Sequence, residues 1–418
     1  MTPHPMSPSP VVLRGTVVTP DRVVVDGAVV LDGAAIAWVG DAGAVPEPWR
    51  EAVPAPTGAT LLPGLVDIHC HGGGGASFPD ATTADEVAAG AREHLTHGTT
   101  SLVASLVTAG GDVLVERASL LADAVEAGVL VGIHAEGPFL SHTRRGAQSP
   151  DHLIPGDPAL VRRLAGAARG HLVTMTVAPE IPGVVAPPDD VMAALVGAGA
   201  IPSVGHTDAS AEQAEAAIGR AAGLLASNPA ARSARPTATH LFNGMRPLHH
   251  RDPGPVAACL AAAARGELAV ELVADGTHLA DATVRAVFDL VGPGAVLLVT
   301  DAMAAAGLGD GDYRLGPMDV RVADGVARLV QPDGSSGAIA GGTSHLLDVV
   351  RCTVRAGVGL ADAVRAASLT PATVLARSDI GRLAAGARAD LVAVDDDLRP
   401  LGVMRAGAWV AAEPMPTA

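Results

Sequence analysis

Lysine is absent from this chain: all 28 of its basic residues are arginine. That excludes a Schiff-base lysine, a P-loop lysine and a carbamylated lysine bridging two metal ions. Aromatic residues make up only 2% of the sequence, so a core drawn from its 49% apolar residues must be built of Ala, Val and Leu. Cysteine is nearly absent too, with Cys70, Cys259 and Cys352 scattered along the chain. An odd, dispersed set provides no disulfide framework and fits a reducing, cytoplasmic setting. No uninterrupted apolar run reaches the ~20 residues that a membrane span needs. The opening MTPHPMSPSP has neither a cationic region nor an apolar stretch, and residues 1–10 read as a disordered leader rather than a signal peptide. The formal net charge of −16 excludes nucleic acid and anionic membrane surfaces as partners. An anionic substrate would require a local basic spot.

The 418 residues fit one large barrel with an appendage. Residues 11–60 read as short strands separated by the turn signals Asp26-Gly27 and Asp32-Gly33. From Leu61 the pattern changes. Eight apolar runs (LLPGLVDIH, TTSLVASLV, VGIHAEG, LVTMTVAPE, AIPSVGH, TATHLF, AVELVAD and AVLLVTDA) alternate with Ala-rich helical stretches. Apolar strands alternating with helices imply a parallel sheet, and eight of them a closed (β/α)8 barrel over residues 61–381. A β-hairpin insertion is expected near 312–337. Short strands return over 382–418, and pairing them with residues 11–60 would make one small β-sandwich from both chain ends.

Barrel active sites lie at the C-terminal ends of the strands. The first run ends in His69-Cys70-His71, and side chains at i and i+2 share one side of a strand. Both imidazoles therefore reach one point, while Cys70 faces away into the core. The third run ends in Glu136, the fifth in His206, the sixth in His240 and the eighth in Asp301. Each alone admits a structural reading: a hydrogen-bonded histidine, a turn residue at Glu136, a helix cap at Asp301. Six ligand-type residues at the ends of five strands, directed to one mouth, point to a metal site. Imidazole and carboxylate without thiolate suit Zn2+ first, and also Fe2+, Mn2+ or Co2+. Such a site would lower the pKa of bound water toward ~7. Asp301 is placed to act as general base and then general acid.

These motifs resemble the amidohydrolase superfamily and, within it, the N-acetylglucosamine-6-phosphate deacetylases. LLPGLVDIHCH and the tail GRLAAGARADLVAV carry the broader likeness. HAEGPFL, VGHTDA, THLFNGM, VADGTHL, VTDAM and IAGG carry the narrower one. The resemblance implies a divalent ion on Glu136, His206 and His240. Because His69 and His71 are both present, it implies one or two ions per subunit, with two favoured. It implies hydrolysis of the acetamide of a 6-phosphorylated amino sugar, with Asn243, Gly244 and Arg251 at the phosphate. The arginine can come from a neighbouring subunit, so a homodimer is expected. His278 is expected at the sugar, with Ile339, Ala340 and Gly341 covering the substrate. Some relatives carry a histidine twelve residues after the metal glutamate. Here that position is Gln148, which can donate a hydrogen bond but carries no charge; it and Ala147 before it are expected at the substrate. Taken by themselves, Arg251, Arg144 and Arg145 can equally be solvated charges, and His278 a helix-terminal histidine. Two other functions remain open at this point: deacetylation of N-acetylgalactosamine 6-phosphate or another N-acetyl amino sugar, and a non-catalytic barrel used for binding.

Overall fold

The computed structural model describes residues 10–411. The expected leader over 1–10 falls almost wholly outside that range, as do residues 412–418 of the C-terminal unit. Eight strands form one parallel sheet: Leu65–Cys70, Thr99–Leu106, Gly132–Glu136, Leu172–Val177, Ile201–Val204, Thr237–Ala238, Ala269–Leu272 and Val296–Leu298. They are neighbours in chain order, and each coincides with one of the apolar runs, the first extending past its run by Cys70. Asp301 N–H donates to His69 O at 2.9 Å and His71 N–H to Ala302 O at 2.7 Å, joining the last strand to the first. The barrel thus closes at the site end, between the two segments that carry its ligand-type residues.

Helices return the chain between strands. Ala84–Thr96 begins with Thr83 and Glu86 in a capping box, and Ala211–Ser227 with Ser210 and Gln213 in another. Each box satisfies two of the backbone N–H groups that a helix start leaves unpaired. As the composition required, the core is aliphatic. One buried cluster draws Val66, Ile68, Val103, Val173, Ile201, Ala269 and Leu297 from strands all around the barrel.

The two chain ends form a separate seven-stranded sheet. Its order is Ala408–Ala411, Pro400–Arg405, Leu391–Val394, Thr60–Pro63, Val11–Val18, Val23–Asp32, Ala35–Asp41. The small β unit read as a sandwich thus takes the form of one sheet by hydrogen bonding, with separate apolar clusters around Leu13 and Leu61 and around Val12 and Val30. The run LLPGLVDIH proves to be two strands. Thr60–Pro63 pairs with Leu391–Val394 in the end sheet, and only Leu65 onward enters the barrel. Gly64 is the switch point: a Cβ there would lie 2.2 Å from Thr100 Oγ1 and 2.8 Å from Asp390 Cβ, so only glycine fits. The hairpin expected near 312–337 is larger than a hairpin. Gly311–Leu315, Met318–Ala323, Val326–Val330 and Ser336–Ile339 make a four-stranded antiparallel meander beside the barrel mouth.

Candidate metal centre and active site

Two groups of ligand-type side chains meet at the C-terminal mouth of the barrel. In the first, Glu136 Oε1 lies 2.8 Å from His206 Nε2 and 2.9 Å from His240 Nε2, and the two imidazole nitrogens are 3.1 Å apart. In the second, His69 Nε2 and His71 Nε2 are 3.1 Å apart, with Asp301 Oδ1 at 3.4 and 3.2 Å from them. Glu136 spans both groups, since its Oε2 lies 3.2 Å from His71 Nε2. All six sequence-derived ligand candidates are brought together, and all but Asp301 are buried.

The backbone is strained at this mouth. His206, His240 and Asp301 have φ values of 46°, 27° and 47°, a region costly for residues with a Cβ. Such conformations persist only where the surroundings over-determine them, and they cluster at functional sites. Three of the four imidazoles are also oriented from behind. His206 Nδ1–H donates to Arg144 O at 2.8 Å, His71 Nδ1–H to Ser105 O at 3.2 Å, and His69 Nδ1–H to Glu271 Oε2 at 3.0 Å. Each leaves Nε2 facing its group, the arrangement that metal-binding histidines adopt.

Charge compensation in the chain alone runs through protons. Burial would raise the Glu136 carboxyl, but the neighbouring imidazoles of His206, His240 and His71 outweigh it and hold it well below the usual carboxylate range. Burial would likewise raise Asp301, and His69 and His71 hold it low instead. On the other side, burial disfavours imidazolium at His69, yet Asp301, Glu271 and Glu136 push its pKa up to about 10. A divalent cation would supply the same positive charge. The ring geometry admits one: His206 and His240 cross at 87°, His69 and His71 at 70°. An imidazole lone pair lies in the ring plane, so crossed rings can share an ion. A third group, Glu93, His97 and His345, fails this test. Its two rings stack 3.7 Å apart at 9°, so their planes do not meet within bonding distance of both nitrogens.

A cleft of about 220 Å³ opens onto the two groups. Its walls include His71, Glu136, Ala147, Gln148, His206, His240, Asn243, Gly244, His278, Asp301, Ile339 and Gly341. His278 is fixed by Asp275, whose Oδ2 accepts from its Nδ1 at 2.8 Å. One expected contact differs. Ala340 is fully buried against the insertion sheet, so its neighbours line the cleft and it does not. Gln148 faces Glu136: its Nε2 donates to Oε2 at 2.6 Å, and its Oε1 accepts from Thr108 N–H at 2.8 Å. Both ends of the amide are thereby engaged within the chain. Arg251 is exposed beside His250 and does not line the cleft. Arg144 pairs with Asp208 at 2.7 Å. A larger hollow of about 790 Å³, around Gly75, Asp80 and Arg314, holds none of the ligand-type residues, so size alone does not locate the site.

Two supporting residues escaped the reading of the sequence. Glu271 stands in AVELVAD as the one charged residue of a buried strand. Asp67 is buried, its carboxyl raised to about 7 by burial against the opposing hydrogen bonds from Thr300 and His69. A lone charge inside an apolar run was the available signal for both.

The Amidohydrolase family profile matches residues 60–410. The chain belongs to the amidohydrolase family. This amidohydrolase is 32% identical over 368 residues to the N-acetylglucosamine-6-phosphate deacetylase of Lysinibacillus sphaericus, covering 84% of this chain and 85% of that one. It is 31% identical over 363 residues to the N-acetylgalactosamine-6-phosphate deacetylase of Shewanella sp. (strain ANA-3), covering 85% and 83%. Its structure superposes on that of a point mutant of the N-acetyl-D-glucosamine-6-phosphate deacetylase from Mycobacterium smegmatis, in complex with N-acetyl-D-glucosamine-6-phosphate. The TM-score is 0.86 and the identity 40%, over 97% of this chain and 100% of that one.

Proposed function

We propose that this amidohydrolase hydrolyses the acetamide of N-acetyl-D-glucosamine 6-phosphate to D-glucosamine 6-phosphate and acetate. The observation that carries the reading is the convergence of Glu136, His206 and His240 with His69, His71 and Asp301 on one cleft. Glu136, His206 and His240 would hold one divalent ion, with Zn2+ as the first candidate, and His69, His71 and Asp301 a second. Bound there, the ion supplies Lewis-acid activation of water and of the amide carbonyl.

Asp301 carries the proton in this scheme. Its carboxylate takes a proton from the attacking water and delivers it to the amide nitrogen, so that the amine leaves neutral. Imidazolium charge on His69 and His71 depresses the Asp301 carboxyl. An ion held by these same residues would take over that positive charge and keep the Asp301 carboxylate ionised. His278, held through Nδ1 by Asp275, turns its other ring nitrogen to the sugar, while Ile339 and Gly341 close over it. Asn243 and Gly244 present the turn after the sixth strand to the phosphate. Arg251 reaches that phosphate from a second copy of the chain, which makes the working form a homodimer. Three unpaired cysteines, and no described helix long and apolar enough to cross a membrane, accompany a cytoplasmic reading.

The relative from Shewanella favours one second reading, the C4 epimer N-acetylgalactosamine 6-phosphate. Acetate release from both phosphorylated sugars and from plain N-acetylglucosamine, on protein of known metal content, tests the proposal. The highest kcat/KM is expected for N-acetylglucosamine 6-phosphate. Equal rates on the unphosphorylated sugar would overturn the phosphate assignment. Arg251→Ala should raise KM for the phosphorylated sugars alone.

A further inference from the structure

Glu271 stands behind the two ligand groups rather than in either. It belongs to the seventh barrel strand and is 1% exposed. Two hydrogens converge on its Oε2: His69 Nδ1–H at 3.0 Å and the backbone N–H of His240 at 3.1 Å. Its other oxygen, Oε1, is buried with no partner, so all of its bonding is committed to these two residues. The main chain of Glu271 adds a third hold, because its carbonyl accepts from Leu241 N–H at 2.8 Å. One residue therefore fixes the ring of a first-strand histidine and the turn that carries His240, whose φ of 27° needs such restraint.

The consequences differ at the two ends. An ionised carboxylate only accepts, so it keeps the hydrogen of His69 on Nδ1 and points Nε2 toward His71 and Asp301. Of the four ligand-type imidazoles, His69 alone has an ionisable residue behind it. His71 and His206 have carbonyl oxygens there. At His240 the carboxylate touches only the backbone, and Asn243 N–H holds the same turn by donating to His240 O at 3.0 Å. Losing the Glu271 side chain thus frees the His69 ring but leaves the His240 turn held by Leu241 N–H on the Glu271 carbonyl and by Asn243 on His240 O.

We propose that Glu271 is a positioning residue that makes the first-strand pair competent to hold its own ion and ties that site to the Glu136 site through His240. This deepens the two-ion reading above and rests on it. Outer partners of ligating histidines typically account for a 10–100-fold change in metal affinity. Here the loss falls on one site of the two.

The test is a Zn2+ titration of metal-free protein against a chromophoric chelator, for wild type, Glu271→Met, Glu271→Asp and Glu271→Gln. Methionine keeps the volume and removes the acceptor. Aspartate keeps the charge but draws the acceptor back by one methylene, and serves if the methionine variant does not fold. Both should bind one ion about 10–100-fold more weakly and the other within about threefold of wild type. Glutamine should recover most of the loss, because its amide oxygen can stand where Oε2 stands. In a chain already carrying His69→Asn, Glu271→Asp should add nothing at that site. Full affinity at both sites in the aspartate variant overturns the proposal, and so does equal weakening of both sites without recovery by glutamine. Should wild type take up only one ion, the two-ion reading fails by itself. The positioning claim is then judged on the metal-free chain by NMR of the His69 Nδ1–H proton. That proton should be protected from solvent in wild type and Glu271→Gln, and exchange in Glu271→Asp. A proton equally protected in the aspartate variant overturns it.

Discussion

Gln148 Nε2 lies 2.6 Å from Glu136 Oε2, on the side of the carboxylate turned away from His206 and His240. The amide is locked from its other end by Thr108 N–H at 2.8 Å, so it cannot rotate its oxygen toward Glu136 without losing that bond. Its position in the chain, twelve residues after Glu136, marked it as a substrate contact. It lines the cleft and also bonds Glu136, and that partner dictates a further test. Gln148→Leu removes a donor to a buried carboxylate while keeping much of the volume. Metal affinity at the Glu136 site should drop about 10–100-fold, with KM for sugar little changed in protein reloaded with excess metal. Gln148→Glu faces Glu136 with a second carboxylate and should be worse. A rise in KM without any change in metal retention would return Gln148 to the substrate.

Asp301 separates proton transfer from metal retention. Its φ of 47° is a conformation that Asn adopts as readily as Asp, so Asp301→Asn changes the chemistry and leaves the backbone alone. The amide cannot take the proton of water. A fall in kcat of about 10²–10⁴ is expected, the usual contribution of a general acid–base group. The ion on Glu136, His206 and His240 should remain, as counted by metal analysis. Near-wild-type kcat would remove Asp301 from the proton path.

His94 sets a pH dependence of stability that does not involve the site residues themselves. It is fully buried, and burial lowers its pKa to about 4 against a smaller opposing effect of its bond to Gly72 O at 2.9 Å. The unfolded chain takes up a proton near pH 6.5, and the folded chain does so only near 4. Between those values the unfolded state binds more protons, so stability falls as pH falls from 6.5 to about 4 and then levels off for this group. The full span is on the order of 3 kcal/mol. His94→Gln should flatten the change in Tm between pH 7 and pH 5. A variant with the wild-type slope would show that the slope comes from other groups.

How much of this was legible in the sequence differs from element to element. Apolar runs bounded by Ala-rich helices are a strong signal, and each of the eight barrel strands overlaps one of them. The strand-end residues His69, His71, Glu136, His206, His240 and Asp301 stood out because Val- and Ala-rich strands have no packing use for them. The break at Gly64 was hidden, because an apolar run reads the same whether it serves one sheet or two. The four-stranded insertion was read short, since the alternation over 311–339 gives strands but not their number. Glu271 and Gln148 were missed as supports for another reason. The lone charge of Glu271 in its apolar run was visible, but nothing local names a partner 202 residues away or tells the bond of Gln148 to Glu136 from a substrate contact.

Gly244 ties backbone geometry to the metal group most directly. Its φ is +59°, and a Cβ built on it would stand 2.6 Å from His206 Nδ1, 2.9 Å from Cε1 and 3.1 Å from Arg144 O. It would therefore wedge into the bond by which His206 Nδ1–H is held on Arg144 O at 2.8 Å. The ring cannot recoil freely, since its Nε2 faces Glu136 Oε1 at 2.8 Å on the far side. Gly146 gives a matched comparison. It has a φ of +55° and also faces His206, but its Cβ would lie 3.2 Å from Cε1 and 3.7 Å from Nδ1. Alanine at either position carries the same left-handed penalty of about 1–2 kcal/mol, and the closer approach at Gly244 adds a clash that should lower its Tm further. Only Gly244→Ala pushes on the nitrogen that orients the ligand. Its metal affinity and kcat should fall at least about tenfold further than those of Gly146→Ala, as the loss of an outer-shell partner implies. Equal losses in the two variants would mean that strain, and not displacement of His206, is what the site feels.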